Sequence, residues 1–220
     1  MQCIKDTIKN INIVIGCSIG CSYCYARMNN NRFHTIDDFN KPVFFENKLK
    51  MLDNKRHTAY LLTGQSDLSG WNEEWKDKVF SKMKENKNTQ YIFLTKRPEN
   101  IKLKETPDNG WFGVTVTSSK EKTRIDYLRN NIKAKHYHIT FEPMFDDVGK
   151  LDLSNISWIV IGTETGNRKG KISSKREWVF NIYNQAKEKN IPVFMKEDLL
   201  GILNEDEFVQ EFPKEFGGTK

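Results

Sequence analysis

Gly16-Cys17-Ser18-Ile19-Gly20-Cys21-Ser22-Tyr23-Cys24-Tyr25 holds three of the chain's four cysteines within eight residues, spaced C-x3-C-x2-C. An apolar run, Ile11 to Ile15, leads straight into it and is expected to form the first strand. A loop with this spacing can wrap three thiolates around one inorganic centre. Three protein ligands leave a coordination position open, as catalytic metal sites do. Cysteine-rich loops bind zinc or iron–sulfur clusters. Zinc would want a fourth ligand, and the nearest histidine, His34, lies ten residues beyond Cys24, which suits no usual finger spacing. A [4Fe–4S] cluster needs four ligands, and the fourth need not be protein.

The rest of the composition narrows the class. A chain of 220 residues suits one domain, 1–220, with a good core. A formal charge of +6 and a pI near 9.0 allow an anionic partner. No apolar run approaches membrane-spanning length, and Met1-Gln2-Cys3-Ile4-Lys5 lacks a signal-peptide core. Four cysteines with three clustered do not make a disulfide framework. The expected setting is a reducing cytoplasm, away from the membrane, with Cys3 as a buried structural thiol.

Along the chain, apolar runs alternate with amphipathic stretches. Strands are expected at Ile11–Ile15, Thr58–Thr63, Tyr91–Thr95, Trp111–Thr117, Tyr137–Phe141, Trp158–Ile161 and Pro192–Met195. A helix is expected to start at Tyr23–Met28, with loop over 29–42. Phe45, Leu49 and Leu52 suggest a short helix. Longer helices are marked by Trp71, Trp75, Val79, Phe80 and Met83, by Ile125, Leu128 and Ile132, and by Trp178, Ile182 and Ala186. Ser174 and Glu177 form a candidate capping box for the last. Near-continuous apolar strands alternating with helices predict an α/β fold: a parallel sheet with outer helices, open or closed part-way into a barrel. In such folds ligands bind at the C-terminal ends of the strands. Those ends are polar here: Thr63-Gly64-Gln65-Ser66-Asp67, Thr95-Lys96-Arg97, Thr115-Val116-Thr117, Glu142, Gly162-Thr163-Glu164 and Lys196-Glu197-Asp198. Lys96, Glu142, Glu164 and Lys196 are the ionisable candidates for pocket chemistry. The competing reading is a set of Lys–Glu ion pairs between neighbouring strand ends.

Cys17-x3-Cys21-x-Tyr23-Cys24, with an aromatic before the last cysteine and a strand before the first, resembles the signature of the radical S-adenosylmethionine (SAM) superfamily. Thr95-Lys96-Arg97-Pro98, Phe141-Glu142-Pro143 and Gly162-x-Glu164-x-Gly166 are similar to a compact, phage- and mobile-element-associated branch of it. The resemblance implies a partial (β/α)6-type TIM barrel. It implies that Cys17, Cys21 and Cys24 hold three irons of a [4Fe–4S] cluster, with SAM chelating the fourth. An electron from an external donor would then cleave SAM to a 5′-deoxyadenosyl radical that abstracts hydrogen from the substrate. It further implies SAM contacts at Gly64, Gln65, Ser66 and Asp67, which stand where the family carries a Gly-Gly-Glu form. Further contacts are implied at Thr115, Thr117 and Glu142 (ribose and methionine parts) and at Gly162 and Tyr23 (adenine).

Thr165 to Arg176 carries Arg168, Lys169, Lys171, Lys175 and Arg176 and no acid, and it runs into a helix N-terminus. Positive charge there opposes the helix dipole, and a bound anion would resolve the conflict. These five residues are candidates for a nucleic acid or phosphorylated substrate; a solvated basic loop is the plainer reading. The four histidines do not pair into a ligand motif. The function expected is that of a radical SAM enzyme, with a docked partner protein conceivable for so short a barrel. The alternative from another class is a nucleic-acid-binding protein with structural zinc on the cysteine loop.

Overall fold

The strand that opens the sheet is not Ile11–Ile15. In the computed structural model, which describes residues 1–54 and 56–217, β1 is Ile8–Asn10, preceded by a single helical turn, α1 (Ile4–Thr7). β1 pairs in parallel with β4 (Ala59–Leu61). The expected strand is split: Val14–Ile15 (β2) pairs antiparallel with Val43–Phe44 (β3) in a separate two-stranded ribbon. Ile11, Ile13, Val14 and Ile15 are all buried, so burial without strict alternation made the run look like one strand. The helix after the cysteines, α2, is Tyr25–Phe33 and extends into the region expected as loop. Residues 46–53 form a 3₁₀ helix.

The main sheet continues through β5 (Gln90–Thr95), β6 (Gly110–Thr115), β7 (His136–Phe141), β8 (Ile156–Ile161) and β9 (Val193–Met195). All seven strands are parallel and lie in the order β1-β4-β5-β6-β7-β8-β9. The sheet curls into a half-barrel. Three outer helices cross over between strands: α3 (Glu73–Glu85), α4 (Thr123–Asn131) and α5 (Arg176–Glu188). Among the described residues the β5–β6 and β7–β8 crossovers carry no α-helix, so the outer layer is incomplete. Trp71, expected on α3, precedes it and is buried beneath it.

Period-two alternation sorts the strand residues onto two faces. Tyr91, Phe93, Phe112, Val114, Ile139, Phe141, Ile159 and Ile161 pack with Val79, Phe80, Met83, Ile125, Leu128, Val179 and Ile182 of the helices. The opposite, concave face holds Ile8, Ala59, Ile92, Trp111, Trp158, Val160, Phe194 and Phe216, with Ile4 and Phe212 against them. The C-terminal segment therefore fills the bottom of the half-barrel: the Phe216 ring lies 4.7 Å from that of Trp111 and 5.2 Å from that of Trp158. His138 is buried on this face with its ring over Gly113, and its Nε2 is 3.0 Å from the Phe93 carbonyl. Burial pulls its pKa down to about 4, so it is a neutral core histidine.

The two edges of the sheet are brought together by the chain ends. The segment after Phe208 pairs antiparallel with β9, Met195 N–H donating to Val209 and Glu211 N–H to Val193. Gln210 then bonds Gln2 twice, at 2.7 and 2.8 Å. Cys3, half-buried, joins this seam through a 3.0 Å contact to Glu197.

Candidate functional site

The cysteine loop leaves β2 at Gly16, whose φ is +114° and whose added Cβ would stand 2.9 Å from the Pro42 Cα. Only glycine fits both conditions. Gly16 N–H donates to the Gln65 carbonyl at 2.9 Å and bridges Ser66. The loop is thus fixed beside the C-terminal end of β4, although its lead-in lies outside the main sheet. Cys17 N–H donates to the Phe39 carbonyl, and the Cys24 sulfur caps α2 by accepting from Arg27 N–H at 3.4 Å. The Arg27 guanidinium returns to the Cys17 carbonyl at 2.8 Å.

Cys17, Cys21 and Cys24 are free and half-buried. Burial, aided by the neighbouring Asp67, Cys21 and Cys24, pushes the Cys17 thiol up to about 11. Without a cation Cys17 is therefore a thiol at neutral pH; a coordinated metal ion reverses this, since a ligating thiol is deprotonated outright. Among the described residues no group of three or more His, Cys, Asp or Glu side chains converges at metal-ligating distance. His34, at the C-terminal end of α2 with φ 49°, is not gathered with the sulfurs. The donor set still suits iron: three free thiols on one short loop, close enough that each of the other two acts on the charge of Cys17.

The concave face turns from apolar to polar toward the strand C-termini. Alternation carries Thr115, Thr140, Val160 and Phe194 onto it, and Thr117, Glu142, Gly162, Glu164, Lys196 and Asp198 follow on the segments just past the strand ends. Gly162 lies in the middle of one charged group: a Cβ there would stand 3.1–3.2 Å from Lys196 Cδ, Asp198 Oδ1 and Glu142 Cδ. The Lys196 ammonium bonds Glu142 and is 3.1 Å from Asp198 Oδ2. Burial depresses the Lys196 pKa, but the two carboxylates outweigh it and hold the group charged, above its ordinary range. Burial also raises Asp198, against the pull of Lys196. Two carboxylates around one ammonium leave this group with a formal charge of −1.

Other expected site residues are occupied by the fold. Asp67 is buried, with Oδ1 accepting from Ser69 N–H (2.9 Å), Ser69 Oγ (2.7 Å) and Thr95 Oγ1 (2.7 Å), and Oδ2 from Lys96 N–H (2.8 Å). Three of these donors fall on Oδ1 and one on Oδ2, so Asp67 knots β4 to β5 and its carboxylate is largely used by the fold. Ser66 Oγ accepts from Trp71 Nε1 at 3.0 Å. The Gly64 carbonyl accepts from the Tyr25 hydroxyl at 2.5 Å. Thr117 donates its hydroxyl and N–H to Glu121, each at 2.7 Å, and the buried Thr115 gives its carbonyl to Arg124. Tyr23 packs edge-on to Phe145, and the Lys96 ammonium lies 5.7 Å from its ring centre.

The basic stretch does not act as one patch. Arg168 makes a two-bond pair with the buried Glu164, at 2.5 and 2.8 Å, which removes both from the open rim. Arg176 pairs with Glu207, and Lys175 lies over Trp178. Glu207 thus supplies the negative charge that the N-terminus of α5 was expected to draw from a ligand. Lys169 and Lys171 remain on the exposed loop. The capping box does not form: Lys175 is the N-cap, and Ser174 Oγ bonds Thr163 and Met144 instead.

Sequence reasoning missed Asp198 and Arg97 as site residues. Asp198 lies past the end of β9 in a 3₁₀ turn, Glu197–Leu199, that follows Lys196, so strand alternation does not reach it. Arg97 shares with Lys96, Lys120, Arg124, Glu99, Glu121 and Tyr127 a cavity of about 480 Å³ that reaches Ile19 of the cysteine loop. A larger concavity, about 550 Å³, lies among Lys84, Asp108 and Lys133 at the opposite ends of β6 and β7. The C-terminal ends are where parallel sheets bind ligands, so the smaller one belongs to the site.

A family model described as "Protein of unknown function (DUF5131)" matches residues 2–218. No curated protein and no solved structure matches the chain.

Proposed function

The chain belongs to the DUF5131 family, described as of unknown function, and on the geometry of its site we propose that it is a cytoplasmic radical SAM enzyme built on one partial (β/α)6-type TIM barrel. The observation that carries the reading is the docking of a C-x3-C-x2-C loop, its thiols free, against the polar C-terminal rim of a curled parallel sheet. Cys17, Cys21 and Cys24 would hold a [4Fe–4S] cluster. When bound and reduced by an external donor, that cluster and SAM supply a 5′-deoxyadenosyl radical that takes hydrogen from the substrate.

The chain's own share is to bind, orient and exclude water. The Glu142–Lys196–Asp198 group carries the sign that the ammonium and sulfonium of SAM need, and its half-buried setting strengthens that attraction. Glu142, the most open of the three at 30 % side-chain exposure, is the carboxylate an incoming cation reaches first. Gly162 keeps the space above them clear. The buried hydroxyls of Thr140 and Thr115 offer hydrogen bonds at the same level, and Tyr23 offers an aromatic face. Below them Trp111, Trp158 and His138 close the floor against solvent.

Anaerobic reconstitution with iron and sulfide, then dithionite and SAM, tests this. The expected product is 5′-deoxyadenosine, lost when any one of Cys17, Cys21 or Cys24 becomes Ala. Stoichiometric zinc, no cluster uptake and untouched SAM would overturn it in favour of a zinc-bearing nucleic-acid-binding protein.

A further inference from the structure

Most cations of this molecule that are not fully solvent-exposed have an acid beside them. Lys76 has Glu73, Arg124 has Glu121, Arg129 has Asp126 and Asp152, Arg168 has Glu164 and Lys196 has Glu142 and Asp198. Lys9, Arg27, Lys48 and Lys122 lack an acid but give their charged groups to backbone carbonyls; among the described residues Lys96 and Arg97 have neither an acid nor such an acceptor. Both are half-buried, both follow β5, and among the described residues neither has a carboxylate within 4 Å. They face the exposed Lys120 and the pair Glu121–Arg124 across the cavity of about 480 Å³. One further acid, Glu99, lines it, so four cations stand against two carboxylates, one of them already committed to Arg124 and Thr117. Partly desolvating two unpaired cations costs free energy that an anion would recover. Tyr127, 45 % exposed, presents an aromatic ring on the same wall. Cationic groups beside an exposed ring are what a phosphate joined to a base needs: charge for one end and a stacking face for the other.

We propose that this cavity binds a nucleotide unit of the substrate. Its phosphate is held by Arg97, Lys96 and Lys120 and its base stacks on Tyr127. The site names a substrate class for the proposed enzyme and rests on that reading only for its role in turnover; the binding itself does not. The nucleotide can be free or part of a single strand. The strand is the form in which a neighbouring nucleotide reaches inward past Ile19 to the cysteine loop. The basic loop around Lys169 and Lys171 lies after β8, two strands away from β6, and is not part of this site.

The test is equilibrium binding to the intact protein, without SAM or reductant, read by anisotropy of a labelled eight-nucleotide single strand, with AMP and inorganic phosphate as competitors. Binding is expected to weaken as salt rises. Arg97→Gln with Lys120→Gln should weaken it at least tenfold and flatten the salt dependence by about one unit for each cation removed. Arg97→Lys should keep most of the affinity and guards against misfolding as the cause. Tyr127→Ala should weaken the strand and AMP but not inorganic phosphate. Competition by AMP as strong as by the unlabelled strand assigns a free nucleotide; much weaker competition assigns nucleic acid. Unchanged binding in the double variant, or a loss seen instead with Lys169→Gln and Lys171→Gln, overturns the proposal. Cavity-dependent binding without SAM cleavage would leave this site standing and remove the radical chemistry; SAM cleavage with no strand or AMP binding would do the reverse.

Discussion

At the scale of single residues, the rim separates groups that the fold consumes from groups it leaves available. Asp67 and Glu164 look alike in sequence, each an acid just past a strand, yet both are satisfied within the protein. Glu164 is the sharper case, because its carboxylate is buried and forked by Arg168. That hydrogen-bonded pair, opposed by burial, holds its pKa below the ordinary 4.5. A depressed folded-state pKa gives stability that is present above the unfolded value and lost as pH falls through the folded one. Glu164→Gln should therefore cost about 1.5–3 kcal/mol at pH 7. The gap from wild type, read by urea unfolding, should narrow as pH drops below 4.5. A gap that stays constant down to pH 3 would show that the charge of Glu164 contributes nothing.

At the scale of elements, α5 begins badly by the rules of helix capping. Its N-cap is Lys175, in extended geometry (φ −101°, ψ 148°) with no side-chain bond to the first turn, and Arg176 follows at once. Lys175→Asp supplies the missing acceptor and reverses a charge at the positive end of the helix. It should raise stability by about 1 kcal/mol, or about two to four degrees in Tm. A loss of stability would mean that the stacking of Lys175 on Trp178 outweighs the cap. This element also shows what was legible in advance. Its apolar face, Trp178, Ile182 and Ala186, was plain from spacing alone. Its start was not, because Ser174 has the right chemistry for a cap but is drawn inward by Thr163 and Met144. The same holds for the cysteine loop. Its spacing could be read directly, whereas the strand before it could not, because Ile11 to Ile15 is buried in two different partnerships. Strands β4 to β9 lay close to their expected places, since each is an apolar run buried on both faces. The ion pairs that reshape the rim are side-chain choices between sequence-distant residues, such as Glu142 with Lys196 and Arg176 with Glu207, and no local pattern records them.

At the scale of the whole molecule, the half-barrel is solid below and open above. Its lower half depends on residues far apart in the chain, above all Phe216 against Trp111 and Trp158, with the Phe216 carbonyl accepting from the Thr58 hydroxyl at 2.6 Å. Phe216→Ala removes a fully buried ring and should cost about 3–5 kcal/mol. Tryptophan emission should shift to the red as Trp111 and Trp158 gain water. An unchanged emission spectrum with unchanged stability would mean the concave face is sealed by something other than this segment.

The seam between β1 and β9 has a mechanical meaning as well. Elsewhere neighbouring strands are joined by backbone ladders, but here the edges meet through Gln2, Gln210 and the Cys3–Glu197 contact. Two neutral amide bonds are worth roughly 1–3 kcal/mol together, and they close a loop of 208 residues. The seam is thinly bonded, and its C-terminal side is anchored to the floor, the Glu211 carbonyl accepting from Trp158 Nε1 at 3.1 Å. A cup split along one side and held there by only a few bonds can flex its lip while its base stays rigid, and the width of the mouth becomes a quantity that binding can set.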